Sequence, residues 1–331
     1  MRRLWLASWL LSALVVCAAG EGARLVWSHK IWDAAPHNAF TDLTRFKDEW
    51  LCVFREGQGH VSPDGKIRVI SSKDGAIWSS AAVISQAGRD LRDPKITVMP
   101  NGRLMIYAAA ADRPKTPVTH QTVACFSDDG RAWSEPVDVG DKNVWLWRLA
   151  WSPQNSIGYG IGYDTSGEKF VRLYKTSDGK TFETAISNLL DEQSPNESGL
   201  AFEPDGTMLC LLRRDANPGH GLFAATKPPH LPAPPLNTWA WKDVGVRIGG
   251  PNLIRLDNGR LIAGVRLYDG GARTSIAEIN RESGRLTELL KLPSGGDCSY
   301  PGMVWWQKEL WVSYYSSHEG RTSIYLAKVA L

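Results

Sequence analysis

A seven-residue pattern that occurs three times constrains this 331-residue chain more than any other feature. The pattern is Ser/Thr-x-Asp-Gly-x-x-aromatic, and it occupies residues 72–78, 127–133 and 176–182. Each copy follows an alternating run that is typical of a β-strand. The Asp side chain accepts hydrogen bonds from turn amides, and the glycine supplies a positive φ. We therefore predict a turn between two strands, after which the aromatic side chain folds back onto the sheet.

The spacing of the copies predicts a repeated all-β architecture. Successive copies lie 55 and 49 residues apart, and a weaker copy at 280–286 lies 104 residues beyond the third. A period near 50 residues with several short strands per repeat is typical of a β-propeller. Six units account for residues 24–331, and the single strand predicted at 24–32 completes the last unit. We predict one domain, a six-bladed β-propeller closed by an N-terminal strand.

The units begin at similar points of the pattern. Their first strands are predicted at or near residues 39–46, 93–96, 145, 199–202, 250 and 300. A proline-rich insert at 227–235 replaces the outer edge of unit four.

The N-terminal segment predicts export. Residues 1–20 are typical of a cleavable signal, with Arg2 and Arg3 before an apolar run at 4–16 and small residues after it. The apolar run is too short for a membrane span, so we expect a secreted or periplasmic protein, with a lipoprotein through Cys17 less favoured. Lys plus Arg exceed Asp plus Glu by three, and no basic aromatic patch indicates nucleic acid.

An even number of cysteines follows the signal: Cys52, Cys125, Cys210 and Cys298. An even count in an exported protein is compatible with disulfides. However, Cys52 and Cys210 hold matching strand positions in units one and four, on opposite sides of a six-unit ring. We therefore predict buried free thiols.

Three arginines occupy matching strand ends. The seventh residue after the turn between the first two strands is Arg213 in unit four, Arg266 in unit five and Arg55 in unit one. Equivalent strand ends of a propeller lie on one face, so these three guanidinium groups would lie close together and repel one another. A bound carboxylate would relieve this repulsion. Alternatively, each arginine pairs with its own acid, Glu56 beside Arg55 and Asp215 near Arg213.

The beginnings of the first strands offer catalytic groups. Eight residues before the turn of unit four lies Glu197, and Asp93 and Tyr300 hold similar positions in units two and six. A Glu, an Asp and a Tyr around one channel provide a base, an acid and a nucleophile. A Tyr that only packs is the alternative. Unit one adds further candidates near this position: His37, Asp42 and His60.

At this point the chain resembles the sialidases (neuraminidases), six-bladed propellers whose turns are called Asp boxes or BNR repeats. The more specific likeness is the segment 196–199, which precedes Arg213 and is followed by Arg266 and then by 299–301. That order is similar to the family's Glu, second Arg, third Arg and Tyr.

The resemblance implies roles for these residues. Arg55, Arg213 and Arg266 would bind the carboxylate of a sialic acid, and Tyr300 would attack the anomeric carbon with Glu197 as its base. A neutral nucleophile suits a substrate with a carboxylate on that carbon, and sialidases depart from the usual carboxylate pair in this way.

The first unit departs from the family. Sialidases usually place the first arginine in an Arg-Ile-Pro run, where this chain has residues 36–42. The sequence therefore leaves undecided which residues of this chain act as the first arginine and as the acid. The candidates for the acid are Asp93, Asp42 and Glu56, with His37 and His60 as further choices. Arg273 is an alternative to Arg266, and Arg214 to Arg213.

The sequence predicts no cofactor and no metal, because no His, Cys and acidic residues have zinc-site spacing and no calcium loop is present. We expect an exo-acting, retaining α-sialidase that acts on sialylated or other acidic glycans. The alternatives are a hydrolase for another acidic sugar, a non-catalytic carbohydrate-binding propeller, and a propeller used for protein contacts.

Overall fold

All regular secondary structure in this computed structural model is β. It describes residues 22–113, 115–226 and 239–331, which contain 23 strands and no helix. The all-β prediction is confirmed, and in these ranges no helix is available to cross a membrane. The predicted signal at 1–20 and the insert at 227–235 lie outside the described residues.

The strands follow one another in antiparallel meanders. The chain opens with β1 (Arg24–Trp32). The first meander contains β2 (His37–Phe46), β3 (Glu49–Gly57), β4 (Lys66–Ser72) and β5 (Ser79–Ile84). The second contains β6 (Asp90–Val98), β7 (Leu104–Asp112), β8 (Thr119–Ser127) and β9 (Val137–Val139). The third contains β10 (Val144–Trp151), β11 (Gly158–Asp164), β12 (Val171–Thr176) and β13 (Glu183–Leu190).

The next seven strands form one sheet that holds two meanders. They are β14 (Pro195–Phe202), β15 (Met208–Arg214), β16 (His220–Thr226), β17 (Lys242–Arg255), β18 (Leu261–Leu267), β19 (Arg273–Ile279) and β20 (Leu286–Lys291). The first half of β17 pairs with β16 and its second half with β18, so the fourth and fifth meanders share this long strand.

The last meander combines both ends of the described chain. It contains β21 (Cys298–Trp306), β22 (Glu309–Ser316) and β23 (Ser323–Ala330), and β1 pairs along β23 as its outer strand. In this antiparallel pair Arg24 lies opposite Ala330. The strand order therefore agrees with the prediction that the N-terminal strand completes the last unit.

The meanders contact one another through their first strands. β2 contacts both β6 and β21, and the contacts continue through β10, β14 and β17. Strand ladders stay within each sheet, and neighbouring sheets are held by side-chain packing and by single hydrogen bonds such as that from the Asn38 amide to the Thr322 carbonyl. At one such boundary, Trp50 of β3 stacks on Trp311 of β22 with ring centroids 4.5 Å apart.

The repeated pattern forms the predicted turns, each between the third and fourth strands of a meander. In the first turn, Asp74 Oδ1 accepts hydrogen bonds of 2.8 and 3.0 Å from the amides two and three residues later. Asp129 and Asp178 do the same in the next two turns. Gly75 has a φ of 78°, and Trp78 Nε1 donates back to its carbonyl over 2.9 Å.

The turn glycines also face the preceding meander at close range. A Cβ atom added at Gly75 would lie 2.5 Å from the Trp311 ring of the sixth meander. The next two turns pack in the same way, Gly130 on Leu51 and Gly179 on Met105. Each of these turns is therefore also a contact between meanders.

The four predicted free thiols are buried and unpaired: Cys52, Cys125, Cys210 and Cys298. This agrees with the prediction from the repeat register.

Candidate active site

The first strand of every meander carries a bulge at an equivalent point. The strand register slips between residues 39 and 42, 92 and 95, 146 and 148, 195 and 198, 249 and 252, and 299 and 302. A bulge takes a residue out of the alternating pattern and re-aims its side chain, often beside an active site. The residues in these slips include Phe40, Asp93, Trp147, Glu197, Gly250 and Tyr300.

The structure brings together Tyr300 and Glu197, which hold similar positions in two different units of the sequence. Tyr300 Oη donates a 2.6 Å hydrogen bond to Glu197 Oε1. Arg213 Nη1 lies 2.9 Å from the same carboxylate oxygen and 3.4 Å from Tyr300 Oη. The Gly250 amide donates to Glu197 Oε2 over 2.7 Å. The carboxylate is thus bound by a phenol, a guanidinium and a backbone amide.

The two central groups have displaced pKa values. Burial alone would raise the pKa of Glu197, but Arg213, Tyr300 and the Gly250 amide together lower it below its ordinary value. Burial, reinforced by the negative charge of Glu197, raises the pKa of Tyr300 well above its ordinary value. The site therefore pairs a phenol that favours its neutral form with a carboxylate that favours its charged form, joined by a short hydrogen bond.

The Tyr300 ring is fixed by the other bulges. Phe40 and Trp147 meet it edge to face, with ring centroids 5.5 and 5.6 Å away. A Cβ atom at Gly250 would lie 3.0 Å from the ring, so the glycine makes room for it. The Arg266 guanidinium lies 5.1 Å from the ring centroid. The phenol consequently has little freedom to turn away from Glu197.

Arg213 and Arg266 both keep donors available beside Tyr300. Arg213 Nε bonds Asp215 over 2.8 Å, and Arg266 bonds the Cys298 carbonyl and, over 2.9 Å, the Tyr315 hydroxyl. Arg213 Nη2 and Arg266 Nη1 have no hydrogen-bond partner within the part of the chain that the structure describes. Two guanidinium groups with unused donors beside a phenol suit an anionic ligand.

The arginine alternatives point elsewhere. Arg214 bonds the His220 carbonyl over 2.8 Å and lies 3.3 Å from Asp243. Arg273 pairs with Glu288 over 2.7 Å. Neither contacts Tyr300, so Arg213 and Arg266 are the arginines of the site.

Asp93 is the bulge residue of the second meander. Its carboxyl group is buried, and Arg92 Nε lies 3.6 Å from its Oδ2. Burial raises the pKa of Asp93, and the nearby charge of Glu197 adds to the shift, while Arg92 opposes it. Asp93 also interacts electrostatically with Tyr300. The raised pKa favours the protonated form of Asp93, the form that a proton donor requires.

Arg55 does not join Arg213, which corrects the expected set of three carboxylate-binding arginines. Its side chain is fully buried, and Nε donates to Asp90 over 2.7 Å. Its terminal nitrogens donate to the Gly59 carbonyl and to Ser62. The alternative that each arginine has its own acid applies here, although the acid is Asp90 and not the adjacent Glu56. Arg55 ties down the loop after β3.

Asp42 and Glu56, both proposed as acids, also have structural roles. Asp42 accepts hydrogen bonds from Arg148 over 3.1 Å and from a backbone amide of β6 over 3.0 Å. Glu56 accepts from Trp32 over 2.8 Å and from Arg68 over 2.9 Å. Because both carboxylates are buried and bound within the protein, Asp93 is the remaining carboxyl candidate for the acid.

His37 and His60 lie together at the edge of the site on an aspartate that the sequence did not single out. Asp297 Oδ2 is 3.0 Å from His37 Nε2 and 2.7 Å from His60 Nδ1. Although burial acts in the opposite sense, hydrogen bonds from the two histidines and from Tyr315 hold the pKa of Asp297 well below its ordinary range. Arg266 Nη2 lies 3.8 Å from Asp297 Oδ1 and so connects this cluster to Tyr300.

Sequence reasoning missed several residues of the site: Phe40, Arg92, Trp147, Gly250, Asp297 and Tyr315. The eight-residue spacing that found Glu197 also reaches Trp147 before Asn155 and Gly250 before Asn258, and it comes within one residue of Phe40 before Lys47. No comparable signal marks Asp297, which lies in a loop before β21.

No protein-family model matches the sequence, and no curated protein sequence does so either. Solved structures do match. A protein of unknown function from Dyadobacter fermentans superimposes with a TM-score of 0.80 at 18% identity, over 94% of this chain and 99% of that one.

Two further neighbours are glycoside hydrolases. The α-L-arabinanase of Penicillium chrysogenum, solved with arabinobiose, has a TM-score of 0.71 at 13% identity, over 93% of this chain and 98% of that one. The sialidase of Trypanosoma rangeli has a TM-score of 0.65 at 13% identity, over 89% of this chain and 55% of that one. At these identities the likeness concerns the fold, and the chain shares the β-propeller fold of these enzymes.

Proposed function

We propose that this protein is an exo-acting, retaining glycoside hydrolase whose substrate ends in a sugar that carries a carboxylate, with sialic acids as the leading candidates. Its scaffold would be a six-bladed propeller closed by β1. The observation that carries the proposal is the 2.6 Å hydrogen bond from Tyr300 to Glu197, with Arg213 and Arg266 beside it.

The proposed reaction has two steps. Glu197 takes the phenolic proton while Tyr300 Oη attacks the anomeric carbon, and Asp93 gives its proton to the departing glycosidic oxygen. The sugar is then held as an aryl glycoside of Tyr300. In the second step Asp93 takes a proton from water, the water oxygen displaces Tyr300, and Glu197 returns the proton to the phenolate.

The choice of nucleophile supports an acidic sugar. A carboxylate nucleophile would approach a substrate carboxylate with like charge, whereas a neutral phenol does not. Arg213 and Arg266 supply the complementary positive charge, and the planar guanidinium matches a carboxylate well.

One observation favours a second candidate, a hydrolase of a neutral sugar such as a terminal arabinofuranose. Only two of the three expected arginines face the site, and Asp297 lies 3.8 Å from one of them and offsets part of its charge. In this case Glu197 itself would be the nucleophile, as in ordinary retaining glycosidases, and Tyr300 would orient it.

The test compares 4-methylumbelliferyl α-sialoside with 4-nitrophenyl α-L-arabinofuranoside. We expect turnover of the sialoside and a loss of about 10³-fold or more in kcat for Tyr300→Phe. The matched control is Tyr159→Phe, a buried tyrosine in a different core cluster, and it should keep its activity.

A fluorinated sialic acid that stalls the second step should label Tyr300, as read by peptide mass spectrometry. Turnover of the arabinoside with label on Glu197 would establish the second candidate. Saturable glycan binding without any turnover would show a carbohydrate-binding propeller. If the protein neither binds nor hydrolyses glycans, a role in protein contacts remains.

A further inference from the structure

Three side chains from distant parts of the sequence converge beside the Tyr300 site. His37 belongs to β2, His60 to the loop between β3 and β4, and Asp297 to the loop before β21. His37 Nε2, His60 Nδ1 and one Asp297 oxygen all lie within 4.8 Å of one another. We propose that they bind a divalent first-row transition ion, for which Zn²⁺ is the representative.

The donor set and its dimensions fit such an ion. Two imidazole nitrogens and one carboxylate oxygen are the ligands of many catalytic zinc sites. With metal–ligand bonds of about 2.0–2.2 Å, neighbouring ligand atoms lie roughly 3–3.5 Å apart. The present separations of 3.0 and 2.7 Å from Asp297 Oδ2 need only a small outward movement of the side chains. The half-exposed His60 side chain provides it most easily, since Arg55 and Arg92 hold the backbone of its loop.

The carboxylate is already prepared as a ligand. Tyr315 donates a 2.9 Å hydrogen bond to Asp297 Oδ1, which leaves Oδ2 for the two histidines. An outer hydrogen bond of this kind orients a ligating carboxylate.

Two features limit the affinity of this cluster for a metal ion. Arg266 lies 3.8 Å from Asp297 Oδ1, and its positive charge opposes a second cation. His37 Nδ1 is buried without a hydrogen-bond partner in the described ranges, so a ring proton moved there by metal binding lacks an acceptor. Both features lower the affinity for any cation. The choice of ion follows from the two imidazole donors, because Mg²⁺ and Ca²⁺ prefer oxygen ligands whereas first-row transition ions bind imidazole strongly.

The ion would keep coordination positions open toward solvent. The His60 side chain is 49% exposed, whereas that of His37 is 9% exposed, so the open side of the cluster is the side of His60. Arg266 contacts both Asp297 and the Tyr300 ring, so the cluster adjoins the Tyr300 site. A hydroxyl or carboxylate group of a ligand could occupy the open positions.

The proposal is tested on the full-length protein after treatment with a chelator, with no substrate present. Titration with Co²⁺, followed by its visible d–d absorption and by calorimetry, should show one saturable site. His60→Ala and His37→Ala should each weaken binding at least tenfold. Thermal unfolding of each variant shows whether it is folded.

His220→Ala is the matched control, because His220 Nδ1 lies 3.0 Å from Asp243 in a pair that no other histidine of the described ranges joins. It should bind Co²⁺ as the wild type does. The proposal is overturned if the wild type shows no saturable Co²⁺ binding, or if the His60 and His37 variants bind Co²⁺ as tightly as the wild type does. Since the titration involves no sugar, the absence of hydrolytic activity has no bearing on it.

Discussion

Two arginines with the same contact distance show how burial separates structural from superficial charge pairs. Arg55 Nε and Arg103 Nε each lie 2.7 Å from an aspartate oxygen. The side chains of Arg55 and its partner Asp90 are 0% exposed, whereas those of Arg103 and Asp128 are 41% and 77% exposed. An exposed pair contributes little, but a buried pair cannot lose one partner without stranding the other charge. The sequence alone does not distinguish them.

We therefore expect Arg55→Met to lower the free energy of unfolding by about 2 kcal/mol or more, because Asp90 keeps Arg113 but loses its bond to Arg55, and the loop carrying His60 loses the donors to Gly59 and Ser62. Arg103→Met should change it by less than about 1 kcal/mol. Urea denaturation of both variants measures the difference. Equal effects would show that Arg55 is not the structural anchor described above.

Asp93 links its displaced pKa to a pH dependence of activity. The proposed acid must be protonated, and its pKa is raised, so activity should persist above the ordinary range of an Asp and fall as pH rises through the raised value. Asp93→Asn should remove this alkaline limb. It should also lower kcat by about 10²–10⁴-fold for a glycan whose leaving oxygen needs a proton.

The control for Asp93→Asn is a substrate with a good leaving group, such as the methylumbelliferyl sialoside, which should be affected much less. If the alkaline limb survives in the variant, a different group supplies the proton, and His60 is the first to examine.

Among the structural elements, the six bulges explain which parts of the site could be predicted from the sequence. The bulge residue lies seven or eight residues before the turn that follows it, so this spacing located Glu197, Asp93 and, to within one residue, Tyr300. This spacing gives no information about loops, so it could not identify Asp297. It also passes over Arg92, which lies beside the bulge residue Asp93 and contacts the His60 loop. Burial also depends on the neighbouring meander, so Arg55 looked equivalent to Arg213 in sequence and is not equivalent in space.

The turn glycines provide a test at the same scale. Gly75 and Gly88 both have positive φ, 78° and 74°, but a Cβ at Gly75 meets Trp311 whereas one at Gly88 meets nothing within 4 Å. Trp311 cannot retreat easily, because it stacks on Trp50 and meets Trp27 edge on. Alanine at Gly88 should cost about 1–2 kcal/mol from its backbone conformation alone.

At Gly75 the collision with Trp311 should add about 1–3 kcal/mol to that cost. Chemical denaturation of Gly75→Ala and Gly88→Ala measures both. Equal losses would mean that the turn does not pack tightly on the sixth meander.

For the whole molecule, the repeat in the sequence was enough to predict the all-β class and the pairing partner of the N-terminal strand. The length of the repeat set the number of strands per meander, and the shortage of strands in the last unit identified β1 as the completing one. The sharing of β17 between two meanders could not be predicted, because the segment before it carries no turn motif. Nor could the details of the site, which depend on packing between meanders.

The position of β1 leads to a prediction about closure. β1 pairs with β23, its Ser28 hydroxyl bonds Tyr314 over 2.8 Å, and His29 Nε2 lies 3.2 Å from the Gly75 carbonyl of the first meander. It therefore joins the sixth meander to the first. Removing residues 22–33 should expose the edge of β23, lower the melting temperature by more than about 10 °C and promote aggregation.

A circular permutant separates the loss of β1 from the break in the chain. Because Arg24 lies opposite Ala330, a short Gly/Ser linker should join the end of β23 to the start of β1, with new termini opened in the loop at residues 33–36. This chain keeps every strand, so its melting temperature should stay within about 3 °C of the parent protein. Calorimetry of the parent, the truncated chain and the permutant makes the comparison. If the truncated chain has the melting temperature of the parent, the contacts among the first strands stabilise the fold without β1. If the permutant has the melting temperature of the truncated chain, the continuity of β1 with β2 matters more than its pairing with β23.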